Sequence, residues 1–325
     1  MTETACRFGE GDRLSGMLGR PDAGDAGMAR PAVLFLSAGL LHKVGPYRLH
    51  VDLARLFNTL GFPTLRFDLG GIGDSRPPVD PLPAEQSAVS EVQAAIDFAE
   101  QALGVHHFIL FGLCRGAEVA HHSAIADPRV VGLILLDGYI FPTPLYYLFH
   151  YVPRLLSLRK LAGFLGRRLG NGTTLDIGRE REHSDAAANL WSGPGLPRSR
   201  VAKDIQTLCD RGVRQLCVFT GGAGDCSYEK QFWHAFPEVE DRDKVTVRFL
   251  READHMYILA RDRLKLSRLM TQWLEATFAA RVATGEPADR QSHCLTDPDS
   301  EWAASLRVPS DASIKGGTKW LQGRH

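Results

Sequence analysis

HFILFGLCRGAEVAHHSAIA, residues 107–126, carries the strongest structural signal in the 325-residue chain. Four of its first five residues are large and apolar, which is typical of a buried strand, and its last ten have helical character. At the junction Gly112 and Gly116 flank Cys114, and a glycine lets a strand and a helix approach closely because it has no Cβ. The pattern predicts a strand, a sharp turn that carries Cys114, and a helix.

Short apolar runs alternate with helical periods on both sides of this junction. AVLFL (residues 32–36) and VVGLILL (residues 130–136) predict buried strands, and residues 47–60 carry a helical stripe of leucines that ends before Gly61. Alternation of this kind is typical of a parallel sheet covered by helices. We therefore predict an α/β fold with a mostly parallel sheet of about eight strands flanked by helices, preceded by an N-terminal antiparallel hairpin.

The alternation is interrupted once and ends before the C-terminus. Residues 138–200 contain no convincing strand and are rich in leucine, aromatic and basic residues, so we interpret them as a helical lid inserted into a core formed by residues 1–137 and 201–284. Residues 285–325 are rich in Pro, Asp, Ser and Gly and predict a flexible tail.

The overall composition excludes several classes of protein. Basic and acidic residues balance at 38 each, so no net field favours nucleic acid or an anionic membrane. No apolar run is long enough to span a bilayer and the N-terminus lacks a signal-peptide pattern, which together predict a cytoplasmic protein without stable membrane insertion. The six cysteines are scattered, so we expect reduced thiols and no metal site. Residues 70–76 (GGIGDSR) lack the third glycine of a dinucleotide-binding loop, and we expect no cofactor.

Cys114 has the setting of a reactive thiol. At the start of the predicted helix, free N–H groups and the helix dipole favour the thiolate, and Arg115 adds a positive charge. A buried, inert cysteine between two turn glycines remains the alternative.

The sequence resembles the α/β-hydrolase superfamily, in particular members with a G-x-C-x-G motif such as dienelactone hydrolase and the polyester synthases. The resemblance covers roughly residues 30–280, and Cys114 occupies the nucleophile position of the motif. A second region, residues 34–75, resembles the family's strand, oxyanion loop, helix, strand and D-x-x-G-x-G-x-S turn. That turn is formed by four residues: Asp68, Gly71, Gly73 and Ser75.

The resemblance implies a triad in the chain order nucleophile, acid, histidine. Asp225 in GGAGDCS follows a predicted strand and is the expected acid, with Asp137 at the end of another strand as the alternative. His255 in READHMY, between the last strand and the last helix, is the expected base. The oxyanion hole would be formed by the backbone N–H of Arg115 and a second donor in the loop after residue 36, Leu40 first and Gly39 next.

These residues predict an acyl hydrolase or acyltransferase that forms a thioester acyl-enzyme on Cys114, with thioesterase activity favoured and esters or lactones also possible substrates. The alternatives are an acyltransferase or cyclase that passes the acyl group to an amine or alcohol, and a non-catalytic binding protein of this fold. The lid suggests an apolar acyl chain carried on coenzyme A or a carrier-protein phosphopantetheine, because five of its residues are basic and could contact phosphate: Arg154, Arg159, Lys160, Arg167 and Arg168. A basic solvent-exposed face of the lid explains them equally well, and the oligomeric state stays open.

Overall fold

The computed structural model describes residues 1–22, 30–37, 39–78, 82–155 and 196–278, with backbone alone for 150–155. Its centre is an eight-stranded sheet in the order β1-β2-β4-β3-β5-β6-β7-β8. The strands are β1 (Thr2–Phe8), β2 (Leu14–Arg20), β3 (Ala32–Phe35), β4 (Thr64–Phe67), β5 (Phe108–Leu113), β6 (Val130–Leu136), β7 (Arg214–Thr220) and β8 (Val245–Leu250). Strands β3 to β8 are parallel to one another, whereas β2 is antiparallel to both of its neighbours, β1 and β4. The predicted sheet and N-terminal hairpin are confirmed.

Seven α-helices lie in the described residues. They are α1 (Leu49–Thr59), α2 (Ala84–Leu103), α3 (Arg115–Ala126), α4 (Pro144–Leu155), α5 (Arg198–Asp210), α6 (Gln231–Ala235) and α7 (Ala260–Phe278). Helix α5 begins at Arg198, within the residues expected to belong to the lid. None of the described helices combines the length and the apolar character needed to cross a lipid bilayer.

Alternate side chains of each strand enter two separate cores, as expected for a sheet covered on both faces. Leu34 and Leu110 are paired in register and pack with α2, α3 and α5 on one face. Phe35 and Phe111, the next pair, pack with α1 and α7 on the other face. All four side chains are fully buried, so the two cores together fix the position of the strands' carboxyl ends.

The carboxyl ends of the parallel strands meet at one edge of the sheet. Strand β3 lies between β4 and β5, so the connections that leave β3 and β5 run to opposite faces and open a crevice between them. The loops that follow β3, β5, β6, β7 and β8 all reach this edge. Of the expected lid, residues 138–155 and 196–200 are described; residues 156–195 and the expected tail lie outside the described part of the chain.

Candidate active site

Cys114 occupies a tight turn between β5 and α3. Its backbone has φ 55° and ψ −118°, a combination that non-glycine residues adopt rarely and at an energetic cost. Its N–H donates to the carbonyl of Leu136 on the neighbouring strand at 2.8 Å, which ties the turn to β6. The thiol is exposed, whereas Cys209, Cys217 and Cys226 are buried. The turn therefore holds one accessible thiol at the N-terminus of a helix.

The two glycines around Cys114 are required by close backbone contacts. A Cβ on Gly112 would lie 2.1 Å from the carbonyl oxygen of Gly116, and a Cβ on Gly116 would lie 2.7 Å from the carbonyl oxygen of Ser37. Both distances are far below van der Waals contact, and both involve backbone atoms that cannot easily move. The second contact also packs the loop after β3 against the first turn of α3.

His255 lies in the loop after β8, and its ring interacts with two side chains. Nδ1 lies 2.8 Å from Oδ2 of Asp137, the residue that follows β6. The side chain of Cys114 is the second partner, since it contributes to the raised pKa of His255. Cys114, His255 and Asp137 thus interact across three loops at the carboxyl edge of the sheet.

Thr220 holds the Asp137 carboxylate in place. The backbone N–H of Thr220 donates to Oδ1 at 2.6 Å, and its hydroxyl donates to Oδ2 at 2.7 Å. Leu136 and Val218 are paired in register, so Asp137 and Thr220 leave adjacent strands side by side. The backbone of Asp137 has a φ of 47°, which is a strained conformation for a residue other than glycine. Its side chain is only 5% exposed, so the direction of the carboxylate is fixed.

Asp225, which we expected to bond His255, does not occupy that position. The ring nitrogen is taken by Asp137, the alternative acid, because Thr220 directs Oδ2 of Asp137 toward it. Asp225 lies near the pair, since burial and the Asp137 charge raise its pKa while His255 lowers it. Its carbonyl accepts a hydrogen bond from Gln231 at 2.7 Å, which fixes the loop that carries it. Asp137 is therefore the acid bonded to the imidazole, and Asp225 interacts with it through charge alone.

The two partners of His255 have a large effect on its pKa. The hydrogen bond to Asp137, followed by the interaction with Cys114, raises the pKa of His255 from 6.5 to about 10, although partial burial acts in the opposite direction. At neutral pH the ring is therefore an imidazolium. A carboxylate on one side and a sulfur that can carry negative charge on the other both stabilise that cation.

The loop after β3 forms the other wall of the site. Gly39 has a φ of 58°, and Leu40 is 59% exposed at the edge of the loop. The helix on the opposite side begins at Arg115, whose guanidinium is paired with Glu118. The three residues expected to form the oxyanion hole thus belong to the two segments that border Cys114.

An ion-pair network anchors this loop to the turn after β4. Asp68 is fully buried and accepts hydrogen bonds from the backbone N–H and from Nζ of Lys43; Nζ lies 2.7 Å from Oδ2. Asp68 also accepts the N–H of Asp74 at 3.1 Å, and Gly73 must lack a side chain because its Cβ would meet that carboxylate at 2.5 Å. The turn is therefore architectural, and it fixes the loop without entering the site. Lys43 was not predicted, because lysine is usually a surface residue and no sequence pattern identifies it as the partner of the buried Asp68.

The first residues of the expected lid are attached to the loop that carries Asp225. Thr143 Oγ1 lies 2.6 Å from the Tyr228 hydroxyl, and the Tyr146 hydroxyl donates to the carbonyl of Gly224 at 3.1 Å. Gln231 bonds the carbonyl of Phe141 as well as that of Asp225. The start of α4 and the acid-bearing loop are thus one hydrogen-bonded unit.

Comparisons with known proteins identify the fold. A family model described as the alpha/beta hydrolase fold matches residues 31–168, which include the Cys114 turn and Asp137. The chain has the α/β-hydrolase fold. No curated protein sequence matches the chain.

Solved structures share this α/β-hydrolase architecture. The α/β hydrolase GrgF from Penicillium sp. sh18 is 18% identical with a TM-score of 0.55, over 86% of this chain and 100% of GrgF. An α/β serine hydrolase homologue from Coxiella burnetii is 15% identical with a TM-score of 0.51, over 84% of this chain and 98% of its own. A lidless α/β serine hydrolase from Xanthomonas campestris is 13% identical with a TM-score of 0.50, over 86% and 96%. These likenesses establish the fold.

Proposed function

We propose that the protein is an acyl-transferring hydrolase in which Cys114 is the nucleophile, His255 the base and Asp137 the acid. The observation that carries the proposal is that the His255 ring is hydrogen bonded to Asp137 and interacts with Cys114, at the carboxyl edge of an α/β-hydrolase sheet. Nucleophile, base and orienting acid in hydrogen-bond contact are the arrangement that acyl transfer requires. An enzyme is favoured over a non-catalytic binding protein of this fold because the triad is complete.

Transfer of the thiol proton from Cys114 to His255 produces the nucleophile. The raised pKa of His255 favours this transfer, and the sulfur then attacks a carbonyl carbon. Attack forms a carbon–sulfur bond and moves the carbonyl electrons onto oxygen. N–H groups at the start of α3 and in the loop at Gly39 and Leu40 would stabilise that oxyanion.

The second half of the cycle returns the proton. Collapse of the tetrahedral intermediate expels the leaving thiolate or alkoxide, which takes the proton from His255 and leaves the acyl group on Cys114 as a thioester. His255, now neutral, removes a proton from water or from an acceptor amine or alcohol, which attacks the thioester and releases Cys114. Asp137 keeps the ring oriented so that its other nitrogen faces the sulfur throughout the cycle.

A thioester is the substrate class that fits best. The acyl-enzyme on a cysteine is itself a thioester. Transfer of the acyl group from a thioester substrate to Cys114 therefore costs little free energy. Transfer instead of hydrolysis would follow if the closed site excludes water from the acyl-enzyme. Coenzyme A or carrier-protein phosphopantetheine remains the proposed acyl carrier.

Turnover of a thioester by active-site variants tests the proposal. We expect Cys114→Ala to abolish release of the thiol, detected with a chromogenic disulfide, and Cys114→Ser to retain a small fraction. Cys209→Ala, at a buried cysteine remote from the edge, is the matched control and should keep full activity. Undiminished turnover by Cys114→Ala would overturn the proposal.

Thiol labelling separates an enzyme from a binding protein. Iodoacetamide near neutral pH should alkylate Cys114 ahead of the other cysteines, because an imidazolium beside it favours the thiolate. Equal rates at Cys114 and Cys6 would favour a non-catalytic role.

A further inference from the structure

The carboxylate of Asp225 has no structural role in its own turn. An aspartate in a turn usually accepts backbone N–H groups that follow it, as Asp254 does from Met256 and Ile258. No described residue donates a hydrogen bond to the carboxylate of Asp225, and the residue is exposed. The turn therefore does not need an acid at this position.

The backbone around Asp225 is nevertheless fixed. Gln231 donates a hydrogen bond to the carbonyl of Asp225 at 2.7 Å, and its Oε1 accepts the N–H of Ser227 at 2.8 Å. On the other side, the hydroxyl of Tyr146 donates to the carbonyl of Gly224 at 3.1 Å. A carboxylate that is held by its backbone and has no protein partner of its own can bind a ligand without a large rearrangement of the loop.

The segment that carries Asp225 packs directly on the segment that carries His255. Gly222 donates its N–H to the carbonyl of Ala253 at 3.0 Å, and a Cβ on Gly222 would lie 2.9 Å from the backbone nitrogen of His255. Asp225 follows three residues later, and the charges of both Asp137 and His255 act on its carboxylate. The unpaired carboxylate therefore lies beside the proposed base.

The site becomes more negative during the proposed cycle. Before acylation, protonated His255 supplies a positive charge. Once the leaving group has taken that proton, His255 is neutral and Cys114 is an uncharged thioester. Asp137 and Asp225 are then two carboxylates, and among the described residues no lysine or arginine acts on the charge of Asp225. The acyl-enzyme should therefore attract a cation and repel an anion.

We propose that Asp225 binds the ammonium group of a primary amine, which accepts the acyl group from Cys114 and becomes an amide. The inference rests on the proposed function and names the acceptor. An ammonium donates strong, charge-assisted hydrogen bonds to a carboxylate. Alcohols and water are neutral and gain much less from the same charge, so Asp225 favours an amine over both.

The transfer step balances with the residues of the site. The bound ammonium first releases one proton to solvent, and the free amine attacks the thioester carbon to form a carbon–nitrogen bond. The carbon–sulfur bond then breaks and its electron pair returns to Cys114. The second proton of the nitrogen passes to His255, which is the same proton transfer that water would require for hydrolysis.

Product ratios test the inference. The full chain is given an acyl thioester in the presence of butylamine or benzylamine, and amide and free acid are quantified by mass spectrometry after subtraction of the background with Cys114→Ala. We expect Asp225→Asn to lower the amide-to-acid ratio at least about 10-fold, because a hydrogen bond between charged groups contributes at least that much to binding. The ester-to-acid ratio with butanol should stay unchanged. A ratio cancels any effect of the substitution on acylation.

Two further variants separate recognition from a structural effect. Asp225→Glu keeps the charge and should retain most of the amide, and the KM for butylamine should rise in Asp225→Asn. Glu229→Gln removes an exposed negative charge from the same segment and is the matched control, which should leave the ratio unchanged. Absence of amide with both amines in the wild type, or an amide-to-acid ratio that Asp225→Asn does not lower, would overturn the inference. An equal loss of amide, ester and acid would also overturn it, because it would show that Asp225 merely supports His255.

The same products separate this inference from the proposed function. If Cys114 is no nucleophile, acid and amide will form as fast with Cys114→Ala as with the wild type, and both proposals fail. If acid formation depends on Cys114 and the amide-to-acid ratio does not depend on Asp225, only the inference about the acceptor fails.

Discussion

Oδ2 of Asp137 accepts a hydrogen bond from Nδ1 of His255 at 2.8 Å, although 118 residues separate the two in the chain. The bond forms because β6 and β7 are adjacent, and Thr220, at the end of β7, donates two hydrogen bonds to the same carboxylate. The imidazole ring is thereby held in one orientation beside Cys114. Asp225, on the next loop, contributes charge to this pair without bonding the ring.

Replacement of Asp137 should be far more damaging than replacement of Asp225. Asp137→Asn removes the charge that fixes the imidazolium, and we expect kcat for a thioester to fall by about 10³- to 10⁴-fold, the magnitude seen for loss of a triad acid. Asp225→Asn, the matched control, should cost less than about 10-fold. The reverse order, measured with correctly folded variants, would return the acid role to Asp225.

The hydroxyl of Thr220 should affect the rate of the reaction indirectly, through the position of Asp137. Thr220→Val keeps the side-chain shape and the backbone N–H but loses the bond to Oδ2, and a hydrogen bond to a charged group is worth about 1.5–3 kcal/mol. We expect kcat to fall by about 10-fold, because Asp137 then holds the ring less firmly. Thr220→Ser should retain near-normal activity, and equal losses in both variants would contradict this role.

The alkaline side of the pH profile should report His255. Its pKa in the folded protein is raised to about 10 by Asp137 first and Cys114 second, so the proton needed by the leaving group is present at neutral pH and lost as pH rises through about 10. We expect kcat/KM for an alkyl thioester to decline through about that pH. Asp137→Asn should move the decline to lower pH, and an unchanged position in this variant would contradict the cause given.

Stability should vary with pH through His50, which is fully buried between Phe35 and Phe111. Burial, its main cause, lowers the pKa of His50 to about 3 in the folded protein from 6.5, and neither ring nitrogen has a hydrogen-bond partner among the described residues. The unfolded chain then binds one proton more between these values, so His50 lowers the free energy of unfolding by up to about 1.4 kcal/mol per unit as pH falls below about 6.5. His50→Leu should flatten this dependence in urea titrations at pH 4 to 7; an identical slope would exclude His50 as its source.

The glycines of the Cys114 turn provide a test of the fold itself. Gly116→Ala would place a methyl group 2.7 Å from the Ser37 carbonyl oxygen, and we expect it to destabilise the protein by at least about 2 kcal/mol, since backbone must shift to admit it. Gly138→Ala is the matched control, because its Cβ would be 3.3 Å from an alanine methyl group. Thermal unfolding of the two variants should therefore differ clearly, and equal melting temperatures would show that the turn tolerates a side chain.

The fold could be predicted from sequence because its signals are local. Apolar runs and helical periods mark the strands and helices one at a time, and Gly112 and Gly116 mark the turn that joins two of them. His255 was singled out by its place between the last strand and the last helix, and the structure brings its ring to Cys114. Each of these inferences needs only a short stretch of chain or the order of the elements.

The acid could not be chosen in the same way. Asp137 and Asp225 both follow strands whose carboxyl ends meet at one edge, so chain order makes both available to one imidazole. The choice is made by Thr220, a threonine at a strand end that nothing in the sequence distinguishes from an ordinary β residue. Lys43, which fixes the opposite loop through buried Asp68, escaped prediction for the same reason.

The most direct test of Cys114 as nucleophile is intact-mass spectrometry of the protein quenched in acid seconds after mixing with acyl thioesters and p-nitrophenyl esters. We expect an added mass equal to the acyl group, located on Cys114 by peptide mapping, released by hydroxylamine and absent from Cys114→Ala. Turnover of these substrates with no adduct at any time, or an adduct that persists in Cys114→Ala, would contradict a thioester intermediate on this cysteine.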